Sequence, residues 1–322
     1  MSTPLIEVIE ALPSPLLRST RTSVPPLREM DTWAATHIQL TERALEQRLS
    51  VSPAPPPRLH EAIHYAMFAG GKRLRPLLCH AAGELTGAAD DALAASAAAI
   101  EMIHVFSLIQ DDLPAMDNDT LRHGKPTVHI VYGEAMALLV CDALFSLAFL
   151  TIDEAPLSDQ CRVALNRELA MASGLHGLVT GQCIDLMSVA THLGMAELEH
   201  MDRLKTGALI RAAVRMGALC GSDGPLDPSM ARALDDYANT IGVAFQVVDD
   251  ILDVTSETAT LGKTAGKDAQ ANKPTYVSEL GVDAARLLAG QLRLRAQDIL
   301  EPWGASAVRL QDLACRMIDR IH

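Results

Sequence analysis

From residue 58 onward the chain is a succession of long Ala- and Leu-rich segments, parted by short glycine- or proline-marked breaks such as Gly83 to Ala89, Gly221 to Pro228 and Gly262 to Pro274. No run alternates apolar and polar residues over the length of a strand, and no segment recurs at a fixed period. Hydrophobic residues make up 49% of the 322 positions, yet Phe, Trp and Tyr together only 3%, so a core must be built from Ala, Leu, Ile, Val and Met. Strands favour aromatic and β-branched side chains, whereas alanine is the best helix former. The expected fold is therefore all-α, a single large helical bundle, and its apolar content excludes disorder for most of the chain.

Nine of the 17 prolines fall before residue 58, and the first glycine is Gly70. Residues 1–31 are expected to be a Pro-rich, poorly ordered tail, and residues 32–322 one helical domain whose first helix runs from Trp33 to Leu49. A formal net charge of −13 excludes bulk electrostatic binding to nucleic acid or an anionic membrane, so a polyanion would need a local basic site or a bridging metal. The six cysteines show no metal-ligand or disulfide spacing and read as buried apolar residues in a reducing cytoplasm. The longest apolar run, Ala135 to Ile152, carries Asp142, Ser146 and Thr151, and is expected to be a fully buried core helix and not a membrane span.

Two aspartate clusters each close an apolar segment. The first, Asp111, Asp112, Asp117 and Asp119, follows the helix expected over Ala94 to Gln110. On a straight helix Asp111 and Asp117 would lie roughly 240° apart; they converge only if the chain leaves the helix near Pro114. The second, Asp249, Asp250 and Asp253, follows Ile241 to Val248, with Gln246 one turn before Asp250. Adjacent carboxylates repel unless a cation compensates them, and hard oxygen donors of this kind suit Mg²⁺ shared with phosphate. Cations stand where a phosphate site needs them. Gly70-Gly71-Lys72-Arg73-Leu74-Arg75-Pro76 joins two permissive glycines to three positive charges, and Arg122, Lys205, Lys263, Lys267 and Lys273 follow. His104 lies two helical turns before Asp111.

With GGKRLRP at 70 to 76, IEMIHVFSLIQDDLPAMDND at 100 to 119, GQCIDL at 181 to 186, KTG at 205 to 207 and FQVVDDILD at 245 to 253, the chain resembles the trans-isoprenyl diphosphate synthases, most of all the bacterial farnesyl diphosphate synthases. The resemblance runs from about Trp33 to the C-terminus. It implies a bundle of the isoprenoid synthase type around a central cavity, about three Mg²⁺ ions per active site, and a homodimer. By position it implies metal ligation by Asp111, Asp112 and Asp117 in the first cluster and by Asp249, Asp250 and Asp253 in the second. Lys72, Arg75 and His104, with the backbone at Gly71, match an isopentenyl diphosphate site; Arg122, Lys205, Lys263 and Lys273 match cations on diphosphate; Thr206 and Gln246 match dipoles facing a carbocation. The implied reaction is prenyl transfer from a dimethylallyl or geranyl diphosphate to isopentenyl diphosphate.

Two positions depart from the family pattern. Arg122-His123-Gly124 stands where Arg-Arg-Gly is usual, so His123 replaces a guanidinium expected on isopentenyl diphosphate and weaker binding is expected. Gln110 replaces the usual histidine before Asp111, and nothing in the sequence explains it. Product length in the family is set at the fourth or fifth position before the first cluster, here Ser107 and Phe106; the phenylalanine implies a farnesyl product, with geranylgeranyl diphosphate the alternative. A class I terpene cyclase would need neither GGKRLRP nor His104, and a non-catalytic partner subunit would be free to lose acidic positions that are complete here.

Overall fold

The computed structural model describes residues 27–50, 54–188, 193–222, 224–255 and 274–319. Its helices are α1 (Leu27–Leu49), α2 (Pro57–Met67), α3 (Leu74–Thr86), α4 (Asp90–Asp112), α5 (Val128–Tyr132), α6 (Glu134–Asp153), α7 (Asp159–Ser173), α8 (Leu178–Ser188) and α9 (Met195–Asp202). A π-helical turn (Arg203–Gly207) leads into α10 (Ala208–Cys220), followed by α11 (Pro228–Thr255), α12 (Tyr276–Leu280), α13 (Val282–Leu300), a 3-10 segment (Glu301–Ala307) and α14 (Val308–Ile318). Two-residue strands β1 (Leu121–Arg122) and β2 (Lys125–Pro126) pair antiparallel. The all-α expectation holds.

At the centre stands α4, buried on every side from Ala92 to Ile103. Its alanines let α1, α3, α6 and α10 pack around it. The closest crossing is between α3 and α10, where a Cβ on Gly217 would lie 2.0 Å from the Cys79 carbonyl oxygen. Asp227 caps α11 by accepting from the Ser229 and Met230 N–H groups, with Pro228 in the first turn where no backbone donor is needed. On the other side of the bundle α14 closes onto α1. Arg309 lies over the Trp33 ring and donates to Glu29, and Arg316 bridges Asp31 and Asp312.

Three expectations are corrected. The first helix begins at Leu27, six residues earlier than Trp33, because Met30 is buried and Glu29 and Asp31 are held by α14; residues 27–31 are therefore helical, and the rest of the expected tail lies outside the described residues. The apolar segment at 135–152 is a helix but not a fully buried one. Only 39% of its most apolar window is buried, and Leu138, Leu139 and Leu150 face outward because no other helix among the described residues covers that side. By length and composition alone, α4 and α6 would both reach across a membrane, but α4 is 89% buried. Cys183 is exposed, and Cys315 only partly buried, while the remaining four cysteines are buried; all six are free thiols.

Candidate active site

The first acidic cluster is made by a helix end. Pro114 forces Leu113 out of helix to φ −61°, ψ 151°, and α4 stops at Asp112. The chain then folds back on itself: Asp117 N–H donates to the Asp111 carbonyl (2.9 Å), Asn118 N–H to Leu113 (3.1 Å) and Asp119 N–H to Asp112 (3.2 Å). Asn118 turns through a left-handed φ of 51° to do so. Asp117 thus comes to within electrostatic reach of Asp111, the convergence the spacing required. Burial, reinforced by Asp117 and Asp185 and opposed by Lys205 and Arg122, raises the Asp111 pKa to about 6. Asp112 also rises to about 6 by burial, against the opposing hydrogen bonds of Arg122, whose Nε and Nη2 donate to it at 3.0 and 2.5 Å.

Arg122 is held in place by the hairpin that follows. His123 and Gly124, at φ 53° and 74°, form the two-residue turn between β1 and β2, where both residues must be left-handed. The turn lays the His123 ring over Gly71, with its Nε2 3.4 Å from where a Gly71 Cβ would stand. Gly70 and Gly71 sit at φ 122° and 110°, which side-chain-bearing residues resist, so the loop before α3 is built for glycine.

Within GGKRLRP the three cations divide. Arg73, itself left-handed at φ 49°, buries its guanidinium on Glu101 (2.7 Å) and the Met67 carbonyl (2.6 Å) and acts as the loop's internal post. Lys72 is exposed, and Arg75 turns toward His104, whose Nε2 lies 3.3 Å from its Nη1. Arginine only donates, so this nitrogen of His104 carries the lone pair. Burial, and then Arg75, His123, Arg122 and Arg73, hold the His104 pKa well below the usual imidazole range, so the ring is neutral. Burial lowers the Arg75 pKa while Glu101 and Asp249 raise it, which sets the second acidic cluster beside this cationic pocket.

The opposite wall is the π turn, a one-residue expansion of helix often found at functional sites. It points Lys205 at Asp185, 2.7 Å from Nζ to Oδ2, and lets the Thr206 hydroxyl donate to Gln246 Oε1 at 3.1 Å. Glycines make the approach. A Cβ on Gly181 would lie 2.2 Å from the Lys205 nitrogen, and one on Gly242 would lie 3.2 Å from the Gly207 Cα. Beside the turn, burial pushes Asp202 well above the carboxylate range, Asp250 adding to the shift and Lys205 opposing it. The two aspartate stretches therefore face one space, with Lys205, Arg75 and Arg122 among them.

Most residues singled out in the sequence meet here: Asp111, Asp112, Asp117, Asp249 and Asp250 with Gly71, Arg75, His104, Arg122, His123, Lys205, Thr206 and Gln246, while Asp253 is buried one turn beyond Asp249 and Lys72 is exposed on the glycine loop. Asp250 is distinguished by a prior engagement, since its Oδ2 accepts the Tyr276 N–H at 2.7 Å. Lys263 and Lys273, with Lys267, lie outside the described residues. Sequence reasoning assigned no role to Asp185, Gln182 and Asp202. The first two stand in the GQCIDL segment at i,i+3 spacing, which places them on one helical face; Gln182 Nε2 is buried and finds no acceptor among the described residues. Nothing local marks Asp202, which is recruited by its neighbours.

The donor set fits magnesium: it is all carboxylate, it carries like charges raised toward protonation, and cationic side chains stand opposite to take a phosphate. Among the described residues no three metal-ligating side chains close around one point.

A family model described as polyprenyl synthetase matches residues 56–293, a span that includes every element of this site. This chain belongs to the polyprenyl synthetase family. It is similar to the farnesyl diphosphate synthase of Escherichia coli, with 47% identity over 79% of this chain and 86% of that protein. Similar too is the chloroplastic heterodimeric geranylgeranyl pyrophosphate synthase large subunit 1 of Arabidopsis thaliana, at 44% identity over 87% of this chain and 76% of that one. A crystal structure of a geranyltransferase from Helicobacter pylori, complexed with magnesium and isoprenyl diphosphate, shares 29% identity at a TM-score of 0.77 over 89% of this chain and 96% of that chain. This polyprenyl synthetase is accordingly a prenyltransferase of the short-chain class, and the terpene-cyclase reading falls away.

Proposed function

We propose that this polyprenyl synthetase condenses isopentenyl diphosphate with dimethylallyl or geranyl diphosphate to give farnesyl diphosphate. The observation that carries the reading is the proximity of the two aspartate stretches to the same cations, Asp111 to Lys205 and Arg122, Asp249 to Arg75, with Asp202 beside both Asp250 and Lys205.

Isopentenyl diphosphate is assigned to Lys72, Arg75, His104 and His123 around the glycine loop, and the allylic diphosphate to Arg122, Lys205 and Lys263. Asp111 and Asp117 on one side and Asp249 on the other are the residues that would hold Mg²⁺, with Asp112 and Asp253 beside them. Bound magnesium would supply positive charge to the diphosphate leaving group. The chain's own cations draw charge in the same direction, and their fixed positions cost no reorganisation as the carbon–oxygen bond breaks. The Thr206 to Gln246 hydrogen bond leaves oxygen lone pairs as fixed dipoles facing the allylic cation. Attack by the isopentenyl double bond forms the new carbon–carbon bond, and the proton then lost is taken by the departing diphosphate. Apolar walls exclude water from the cation.

We assign Phe106, buried on α4 five residues before Asp111, as the floor that stops the tail at fifteen carbons, a role that rests on the family resemblance; the Ser107 hydroxyl turns back to donate to the His104 carbonyl. On this reading the enzyme acts in the cytoplasm as a homodimer; the outward Leu138, Leu139 and Leu150 of α6 are apolar side chains that such a pairing would cover. The deciding experiment incubates the full chain with Mg²⁺, isopentenyl diphosphate and each allylic diphosphate and identifies the products. Farnesyl diphosphate is expected; absence of any prenyl diphosphate would favour a non-catalytic partner subunit instead.

A further inference from the structure

Only five phenylalanines occur in the chain, and three of them form one row. Phe106 of α4 meets Phe145 of α6 with ring centroids 5.3 Å apart and planes tilted by 58°. Phe145 in turn meets Phe149, one turn further along α6, at 5.2 Å and 54°. Tilted pairs at these separations are the favoured aromatic arrangement. One turn before Phe145, the buried Cys141 thiol donates to the Phe106 carbonyl at 3.8 Å. Burial pushes that thiol to about 12, so it stays protonated and able to donate. Helix α6 thus grips Phe106 at both ends, by its backbone through Cys141 and by its ring through Phe145. The alanines of α4 all lie between Ala92 and Ala99, more than a turn before Phe106, and a side chain that sets a boundary does so only if its own neighbours fix it.

Resting on the reading of Phe106 as the floor, we infer that Phe145, backed by Phe149, is a positioning residue for product length: it locks the Phe106 ring across the path of the elongating tail. Chain length is then set by two helices together. Phe145 touches no substrate; it acts through Phe106, so its removal lets the ring rotate aside and the tail grow.

The test uses the purified full chain with Mg²⁺, geranyl diphosphate and excess isopentenyl diphosphate, with product length read by mass spectrometry. Phe145→Ala is expected to move most of the product from C15 to C20 or longer, and Phe145→Tyr, which keeps the ring, to restore C15. The KM for isopentenyl diphosphate should stay at the parental value, because Arg75 and His104 are untouched. Phe106→Ala combined with Phe145→Ala should give products no longer than Phe106→Ala alone, since residues acting in series are not additive. Phe145→Leu, which keeps most of the bulk, serves if the alanine variant fails to fold, and is expected to shift part of the product. Parental products from both Phe145→Ala and Phe145→Leu, alongside longer products from Phe106→Ala, would overturn the inference. Longer products from Phe145→Ala with unchanged products from Phe106→Ala would also overturn it, by making Phe145 itself the floor. A parental chain that forms no prenyl product would instead refute the underlying function.

Discussion

Gly181→Ala should damage catalysis far more than it damages the fold. The added methyl would stand 2.2 Å from the Lys205 nitrogen, 2.5 Å from its Cα and 2.8 Å from the Leu204 carbonyl carbon. Ordinary contact begins near 3.4 Å, so α8 and the π turn must separate by about 1.2 Å (3.4 less 2.2). All three atoms are backbone, and no rotamer change relieves the clash. Overpacking of this kind costs about 1–3 kcal/mol of stability, which a chain of this size tolerates. The same shift carries Lys205 and Thr206 with the turn, and a displacement of about 1 Å at a positioned group costs on the order of 100-fold in rate. Steady-state kinetics and urea unfolding on the same preparation provide the assay. The expected outcome is a fall in kcat near two orders of magnitude with the folded state retained. A variant within twofold of the parental kcat would refute the claim that this close approach positions the lysine. Gly290→Ala provides the contrast, since it lies inside α13 with open space around its Cβ; there, alanine should stabilise by about 0.5–1 kcal/mol and leave the kinetics unchanged.

Further predictions concern the glycine loop and the core. Glu101→Gln leaves the buried Arg73 guanidinium with only the half-exposed Glu42 carboxylate, 3.6 Å away, and should cost about 3 kcal/mol, measured as a lowered urea midpoint. His80, fully buried, has its pKa lowered to about 3 by burial and then by His37; its Nε2 meets Thr41 at 3.1 Å, and its Nδ1 has no partner among the described residues. A histidine whose folded pKa lies below the unfolded value of about 6.5 stabilises fully above that value and ever less as pH falls toward 3. Unfolding should therefore become easier by about 2 kcal/mol between pH 7 and pH 5, and His80→Gln should flatten that slope. His123→Arg adds a charge-assisted contact worth about 1.5–3 kcal/mol, so the KM for isopentenyl diphosphate should fall about tenfold or more. An unchanged KM would remove His123 from that site.

The motif residues were legible because their chemistry is local: Pro114 forbids helix at Leu113 wherever the rest of the chain goes, and Gly70 and Gly71 declare a backbone that other residues resist. Harder to see were groups whose character comes from neighbours distant in the chain. Asp202 is an ordinary acid in its own segment, and only its burial in the fold, with Asp250, Asp185 and Glu199 brought near it, raises its pKa. Asp250 reads as one more metal ligand until Tyr276, 26 residues later, places its N–H on that carboxylate. The outward face of α6 was misjudged for a related reason. An apolar helix records how greasy it is, not how many neighbours the tertiary structure finds to cover it.

By itself the sequence determined a helical chain, because alanine and leucine in long unbroken segments leave no other way to satisfy the backbone. It also pointed to the chemical class, because its five ordered motifs together resemble one family. Tertiary structure alone decided how those groups share one space: which arginine becomes a buried post, which glycine admits the π turn, and which phenylalanines align. Such outcomes depend on packing distances between residues far apart in the chain, and a substitution of one methyl group is enough to change them.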